Sequence, residues 1–361
     1  MITRRELNRA TLARQLLLRR HAMPALQAVE HLVGLQAQAP FPPYFGLWSR
    51  LEGFGPEELA RLLVERDVVR MVLMRGTVHL VSAADGLALR PLVQPMLTKF
   101  LTAAHGPRLR DVDVEELVKV GRETLDQAGP LTAAKLAAQL AEHFPAVGAD
   151  TLAQAMRCLV PLVQVPPRAV WGKAGQTAYA TIETWLGREQ HPAPSPETMV
   201  LRYLAAFGPA TVADVQAWSG LTGLREIVEP LRPSLLRLRD ENGRELLDLP
   251  EAPRPDADEP APVRLVAPFD NVLLSHADRT RVISDEHRRR VITVNGQVLG
   301  TVLVDGFVRG VWRRDKHVVT VEPFAPLTAG QVEEVRAEAL TLLAFAEPGR
   351  SAVHEVRVVE G

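Results

Sequence analysis

Cysteine is almost missing from this chain: Cys158 is the single one in 361 residues. No disulfide can close within the chain, and no zinc site built on several cysteines is available. Cys158 itself reads as a small buried hydrophobe. Long apolar runs are missing too, since no stretch approaches the roughly 18 residues a membrane span requires. The start Met1-Ile2-Thr3-Arg4-Arg5-Glu6 lacks the uninterrupted apolar segment of a signal peptide. Net charge is close to zero, at −1. That excludes a globally basic nucleic-acid binder and makes any electrostatic footprint local. Standard catalytic signatures are absent as well: no Walker A loop, no His-Glu-x-x-His, no Gly-x-Ser-x-Gly and no Rossmann glycine fingerprint. The ten histidines are scattered, mostly alone. No metal and no cofactor is expected, and the compartment expected is the cytoplasm.

What is present is enough apolar material, 47% of 361 residues, for two to four domains. Thr3-Arg4-Arg5-Glu6 has the spacing of a capping box, which predicts a helix running to about Arg20. Residues 1–20 carry six arginines against one glutamate. Pro24 opens a second predicted helix, with Leu26, Val29, Leu32 and Val33 on its core face. Leu35-Gln36-Ala37-Gln38-Ala39-Pro40 falls at the end of that helix. Gly55-Pro56-Glu57-Glu58 starts another helix, and Val68–Leu73 with Thr77–Val81 form a hairpin across Arg75-Gly76.

Helices followed by a hairpin describe a winged helix-turn-helix, and the pattern recurs. Gly129-Pro130-Leu131-Thr132 and Gly208-Pro209-Ala210-Thr211 each follow an amphipathic helix (113–127, 196–206) and open a new one with Thr as its cap. Third helices follow near 150–161 and 221–229. Hairpins come next: Ala169–Trp171 with Thr177–Ala180, and Leu235–Arg239 with Glu245–Leu249 across Asn242-Gly243. The linker Pro192-Ala193-Pro194-Ser195-Pro196 and the exposed strap Pro250–Pro262, with five prolines and four acids, divide the chain. Beyond the strap, Val263–Ala267, Arg290–Val294, Val298–Val304, Val308–Trp312 and Val318–Val321 read as strands. One helix near Thr328–Ala346 and a last strand near Val353–Val359 complete the chain. The expected architecture is α+β: three tandem winged-helix units (1–110, 111–191, 192–250) and a β-barrel-like domain (262–361).

Gln36 and Gln38 alternate with small apolar residues, so their primary amides offer neutral groups that both donate and accept hydrogen bonds. His79 shares a strand face with Thr77, and both are candidates to line one cleft. Asp270, set in an apolar run, reads as a buried hydrogen-bonding anchor. Arg279, Arg281, Arg288, Arg289 and Arg290 surround a turn-like stretch, and Arg313, Arg314 and Lys316 tip a later hairpin. These are candidate DNA contacts through phosphates or a groove. Asp278, Asp285, Glu286 and Asp315 are interleaved and lower the net field, so a solvated ion-paired face is the competing reading.

Taken together, Gly34-Leu35-Gln36-Ala37-Gln38-Ala39-Pro40, Arg75-Gly76-Thr77-Val78-His79-Leu80, Pro268-Phe269-Asp270-Asn271, Ser275-His276-Ala277-Asp278-Arg279, and Val304-Asp305-Gly306 with Gly310-Val311-Trp312 resemble the bacterial winged-helix DNA glycosylases related to the azinomycin-resistance enzyme. The resemblance spans essentially the whole chain. It implies a C-shaped clamp on double-stranded DNA and excision of bulky N7-alkylated purines, including the unhooking of interstrand crosslinks. It further implies self-resistance to a DNA-alkylating antibiotic, association with the nucleoid, and action as a monomer. The family's Gln-apolar-Gln catalytic motif falls on Gln36 and Gln38; a sister branch has aspartate at the second position. The alternative from another class is a non-catalytic winged-helix DNA-binding protein such as a transcription regulator. Against it, Leu221–Glu229 is no basic, base-reading helix: Arg225 is offset by Glu226 and Glu229.

Overall fold

The computed structural model describes residues 1–191, 193–349 and 353–359, so Pro192 of the expected linker lies outside it. Helix α1 is Arg4–Arg14, opened by a complete Thr3/Glu6 capping box. It stops six residues short of the expected Arg20. Leu16 adopts φ +57°, Leu16 N–H donates to Ala13 O (3.1 Å) and Leu17 N–H to Leu12 O (2.8 Å). That is a Schellman closure built on a leucine instead of a glycine, with Leu16 and Leu17 both buried.

Helix α2 (Ala25–His31) closes the same way. Val33 N–H donates to Glu30 O (3.1 Å) and Gly34 N–H to Val29 O (2.9 Å), with φ +53° and +88° at Val33 and Gly34. The chain then runs straight into strand β1, Leu35–Gln36. Gln36 therefore stands in a strand and Gln38 in the bend after it, not at the end of a helix. Gly34 is required there, because a Cβ would sit 2.5 Å from Val81 Cγ1 and 2.9 Å from Leu80 O.

Helices α3 (Pro42–Trp48) and α4 (Pro56–Glu65) precede the hairpin of β2 (Val68–Val72) and β3 (Val78–Ser82), and the long α5 (Ala83–His105) follows. The second part contributes α6 (Val114–Ala128), β4 (Leu131–Thr132), α7 (Ala133–His143), α8 (Ala149–Leu159), β5 (Leu162–Gln164), β6 (Ala178–Thr181) and α9 (Ile182–Leu186). Strand β6 pairs with β5 and not with Ala169–Trp171, which forms a turn with Ala169 at φ +67°. The first two hairpins share a sheet. Arg70 and Met71 of β2 pair with Gln164 and Val163 of β5, joining everything into one six-stranded sheet, β1-β3-β2-β5-β6-β4.

The third part holds α10 (Pro196–Phe207), α11 (Val212–Ser219), α12 (Leu224–Val228) and a two-stranded hairpin of β7 (Leu236–Arg239) and β8 (Glu245–Asp248). The last part contains β9 (Arg264–Val266), α13 (Asp285–Val291), β10 (Gly300–Val304), β11 (Phe307–Asp315), β12 (Val318–Pro323), α14 (Ala329–Ala346) and β13 (Glu355–Val358). Its sheet, β13-β12-β11-β10-β9, is open, with β13 returning parallel to β12 after α14. Among the described residues no closed barrel forms. Of the expected strand at Arg290–Val294, Arg290 and Val291 instead end α13, and only Ile292 makes a β-bridge, to Val298. Ser284 caps that helix, Asp285 and Glu286 occupy its first turn, and Arg288, Arg289 and Arg290 its last, which suits the helix dipole at both ends.

An aromatic cluster joins the first and last parts. Phe345 of α14 stacks on Trp48 and Phe54 (centroids 6.1 and 5.8 Å), and Phe45 meets Trp312 edge-on at 6.0 Å. Buried ion pairs tie the first part to the last and to the third. Arg50 donates twice to Asp270 (2.8 and 2.9 Å), and Arg14 twice to Asp248 (2.6 and 2.8 Å). Asp270 also caps the short turn Asn271–Leu273 by accepting from Val272 N–H at 2.9 Å, so the expected anchor is an anchor. Removing one partner of such a pair leaves an uncompensated buried charge. Arg50→Ala and Asp270→Ala should each lower unfolding free energy by about 3–5 kcal/mol in urea denaturation, while an Arg50→Met/Asp270→Leu double replacement should cost less than either. Equal losses in all three would refute this account.

Candidate active site at the first hairpin

The β1 segment lies on β3 with Leu35 opposite Leu80 and Gln36 opposite His79. Ala37 N–H extends the ladder to Val78 O (2.7 Å), and Val78 N–H donates to the Gln38 side-chain oxygen (3.2 Å). The Ala37 carbonyl accepts from Arg70 Nη2 at 2.8 Å. The residue between the two glutamines is thus held on both its backbone groups. Arg70 itself is buried, and its Nε and Nη1 meet no acceptor among the described residues. Burial lowers its pKa to about 10, which still leaves it charged at neutral pH.

The two glutamines differ in surroundings. Gln38 is exposed, whereas Gln36 keeps only 7% of its surface accessible. The Gln36 oxygen accepts from Arg75 Nη2 at 2.7 Å. Arg75 sits at the tip of the β2–β3 hairpin with φ +57°, followed by Gly76 at +70°, so the turn itself throws the side chain back over the sheet. The same nitrogen reaches Asn271 Oδ1 (3.2 Å) and lies 3.4 Å from His79 Nε2, while Nη1 donates to Trp218 O (2.6 Å). Asn271 Nδ2 in turn donates to Gly34 O at 3.2 Å. Burial, with Arg279 nearby, lowers the Arg75 pKa to about 10.

His79 is fully buried beside Gln36 and does not line an open cleft. Its Nδ1 lies 3.0 Å from Thr77 O, a pure acceptor, so Nδ1 carries the proton and Nε2 faces the Arg75 guanidinium as acceptor. Burial first, then Arg75, pushes its pKa down to about 3. Thr77 is half-buried and spends its hydroxyl on Met74 O (3.1 Å) within the turn.

The expected basic residues separate into two groups. Arg281 is buried and donates to Pro209 O at 2.8 Å, so it is a structural residue and not a surface contact. Arg313 pairs with Glu322, and Arg314 pairs with Glu347 at 3.2 Å. Arg289 and Lys316 are exposed, and exposed Arg290 lies over the Phe324 ring at 4.2 Å. Arg288 is half-buried and meets Asp285 at 3.5 Å. Arg279, also half-buried, has its proton affinity lowered by burial and by Arg288. It therefore lies within electrostatic range of both Arg288 and Arg75. Arg75, Asn271 and Arg70 were missed as site residues from sequence. The signal for Arg75 was an Arg-Gly pair at a tight hairpin, which by itself announces only a turn. No group of three or more His, Cys, Asp or Glu side chains able to hold a metal occurs among the described residues. Nor is any helix among them long and apolar enough to cross a membrane.

This arrangement matches one family. The model of the AlkZ-like DNA glycosylases fits residues 29–345. The chain belongs to the AlkZ-like DNA glycosylases. It is thus an enzyme acting on N-glycosyl bonds, and the resemblance read from the sequence motifs holds. An interstrand DNA cross-link repair glycosylase of Streptomyces sahachiroi is 27% identical over 347 residues, covering 90% of this chain and 92% of that protein. The solved structure of the Streptomyces sahachiroi DNA glycosylase AlkZ has the same fold, with a TM-score of 0.82 at 24% identity, covering 99% of this chain and 100% of that one.

Within this AlkZ-like enzyme, His79 and His276 share a titration behaviour. His276 is buried, donates from Nε2 to Phe207 O (3.0 Å), and has its pKa pushed to about 3 by burial first and Arg281 next. Both histidines are neutral when folded and free to protonate when unfolded, so between about pH 6.5 and pH 3 the unfolded chain binds more protons. Stability then falls as pH falls through that window, by on the order of 1.4 kcal/mol per pH unit for each histidine. Urea midpoints should drop clearly from pH 7.5 to pH 5; a flat profile would mean that one or both rings are charged in the folded protein.

Proposed function

We propose that this AlkZ-like enzyme is a monofunctional DNA glycosylase for bulky N7-alkylated purines, with Gln36 and Gln38 as its catalytic residues. The observation that carries the reading is the pair itself. One carboxamide is held almost buried by a cation, and the next but one is exposed on the same short segment, beside positive charges that pair with no carboxylate there. Arg279 forms no ion pair among the described residues, which suits a polyanion passing close by.

An N7-alkylguanine is already cationic, so its departure needs no proton from the enzyme. Water forms a bond to C1′, the C1′–N9 bond breaks with its electron pair going to the base, and the base leaves neutral. The proton lost by water passes to solvent. Gln38 is placed to orient that water, since its amide N–H groups and one oxygen lone pair are unused by the protein. Gln36, with its oxygen committed to Arg75, offers its amide N–H groups to the sugar or the water. Neither amide carries the negative charge that would stabilise positive charge on the sugar. Excision therefore depends on a labile leaving group, and neutral lesions such as uracil should resist.

We also read the helix-and-hairpin order as three winged-helix units with boundaries near 110, 191 and 250, followed by a C-terminal β unit from 262, the whole forming a monomeric clamp on duplex DNA. Arg279, Arg288, Arg289, Arg290, Arg313, Arg314 and Lys316 are the proposed DNA contacts, with Arg281 left to the fold. A clamp with shallow access suits an adduct or crosslink too bulky to rotate into a closed pocket. Unhooking of crosslinks and self-resistance to an alkylating antibiotic in the bacterial cytoplasm, at the nucleoid, follow from the same reading. Thr77 and His79 shape the hairpin behind the site.

The test is duplex DNA carrying N7-methylguanine or a bulky N7 adduct, incubated with enzyme and then treated with alkali. Strand cleavage at the lesion should exceed the no-enzyme control and fall by about 100-fold or more in a Gln36→Ala/Gln38→Ala variant. Equal cleavage by that variant on both substrates would remove the catalytic assignment. Duplex binding should weaken as salt rises, with a shallower slope for Arg288→Ala/Arg289→Ala/Arg290→Ala.

A further inference from the structure

Gln36 is held by one identifiable edge of its carboxamide. A guanidinium carries donors only, so the group 2.7 Å from Arg75 Nη2 is the oxygen, and the amide nitrogen faces away from Arg75. A glutamine without such a partner samples several rotamers and both amide orientations. Here the choice is made by a side chain that is itself fixed from two other parts of the chain. Nη1 is tied to Trp218 O in α11 (2.6 Å), and Nη2 to Asn271 Oδ1 in the turn after β9 (3.2 Å). The backbone reinforces the contact. A Cβ on Gly220, two residues beyond Trp218, would lie 3.1 Å from both the Cα and N of Arg75. The hairpin tip and the end of α11 therefore touch main chain to main chain.

We propose that Arg75 is the positioning residue of the active site. It sets the orientation of the Gln36 carboxamide and makes that orientation conditional on the third helical unit and the 270–271 turn being docked against the first hairpin. The proposal rests on Gln36 being catalytic. Arg75 need not touch DNA to act; its effect passes through Gln36. An arginine that merely braced the fold, or one that bound phosphate, would act independently of the residue at position 36.

A double-mutant cycle separates these roles. Single-turnover excision of N7-methylguanine from a duplex is measured at saturating and limiting enzyme for the full chain and for Arg75→Ala, Arg75→Lys, Gln36→Ala and Arg75→Ala/Gln36→Ala. Cooperative unfolding is checked for each variant. Arg75→Ala should slow the saturated rate by about 10- to 100-fold, the scale of a misplaced catalytic group. Half-saturation should change much less. In the Gln36→Ala background, removal of Arg75 should add almost nothing. Added guanidinium ion should restore part of the rate to Arg75→Ala and none to the double variant. If Arg75→Ala does not unfold cooperatively, Arg75→Lys carries the cycle, and its loss should likewise vanish in the Gln36→Ala background. Two losses that multiply in the double variant would overturn the proposal, as would an Arg75→Ala defect confined to half-saturation. A fully active Gln36→Ala would instead overturn the catalytic reading of Gln36, and this proposal with it.

Discussion

A half-buried guanidinium needs acceptors for the donors it turns away from water, and Arg75 finds its acceptors on three separate parts of the chain. Gln36 comes from the first strand, Trp218 from the third helical unit, and Asn271 from the segment that follows β9. Leaving those inward-facing donors unsatisfied costs free energy. The docking of these parts and the geometry of Gln36 are therefore one problem with one solution. Gly34 and Gly220 matter for the same reason: each lets backbone come within contact distance at the place where these parts meet.

Arginine performs this joining elsewhere too. From α1, Arg14 reaches Asp248 and Pro253 O, Arg9 reaches Asp305 and Glu259 O, and Arg5 reaches Asp305 and Ala257 O. The proline-rich strap between the third part and the C-terminal sheet is thus fastened to the first helix by its carbonyls. A strap that cannot form regular structure has unused carbonyls, and a basic helix supplies donors for them. The excess of arginine in residues 1–20 has this intramolecular use. Five-donor, planar side chains suit it better than lysine, because one head group can hold a carboxylate and a carbonyl together.

Local signals in the sequence were reliable where local physics decides. The Thr3/Glu6 capping box, the hairpin at Arg75-Gly76, the Asn242-Gly243 turn and the Thr328 helix all appear where spacing placed them. Errors fell where a distant partner decides. Leu35–Gln36 continues an apolar helical period on paper, yet Leu16 and Val33 take left-handed backbone and close their helices early because buried packing and Schellman bonds outweigh the local penalty. Leu162–Gln164, rather than Ala169–Trp171, pairs with β6, because β5 gains a second neighbour in β2. The arginines near 279–290 looked alike in sequence; packing buried Arg281 and left Arg289 exposed.

The sequence by itself determined the order and type of most elements, the family, and the two glutamines as the candidate chemical groups, because caps, turns and alternation act over a few residues. Only the tertiary structure decided that Gln36 stands nearly buried on an edge strand and that Gln38 is exposed just beyond it. It alone decided that Arg75 holds the side-chain oxygen of the first of them, and which of the arginines near 279–290 are buried and which exposed. Burial and long-range hydrogen bonds belong to whatever packs against a residue, and that partner lies 39 residues away for Gln36 and Arg75 and 196 for Arg75 and Asn271.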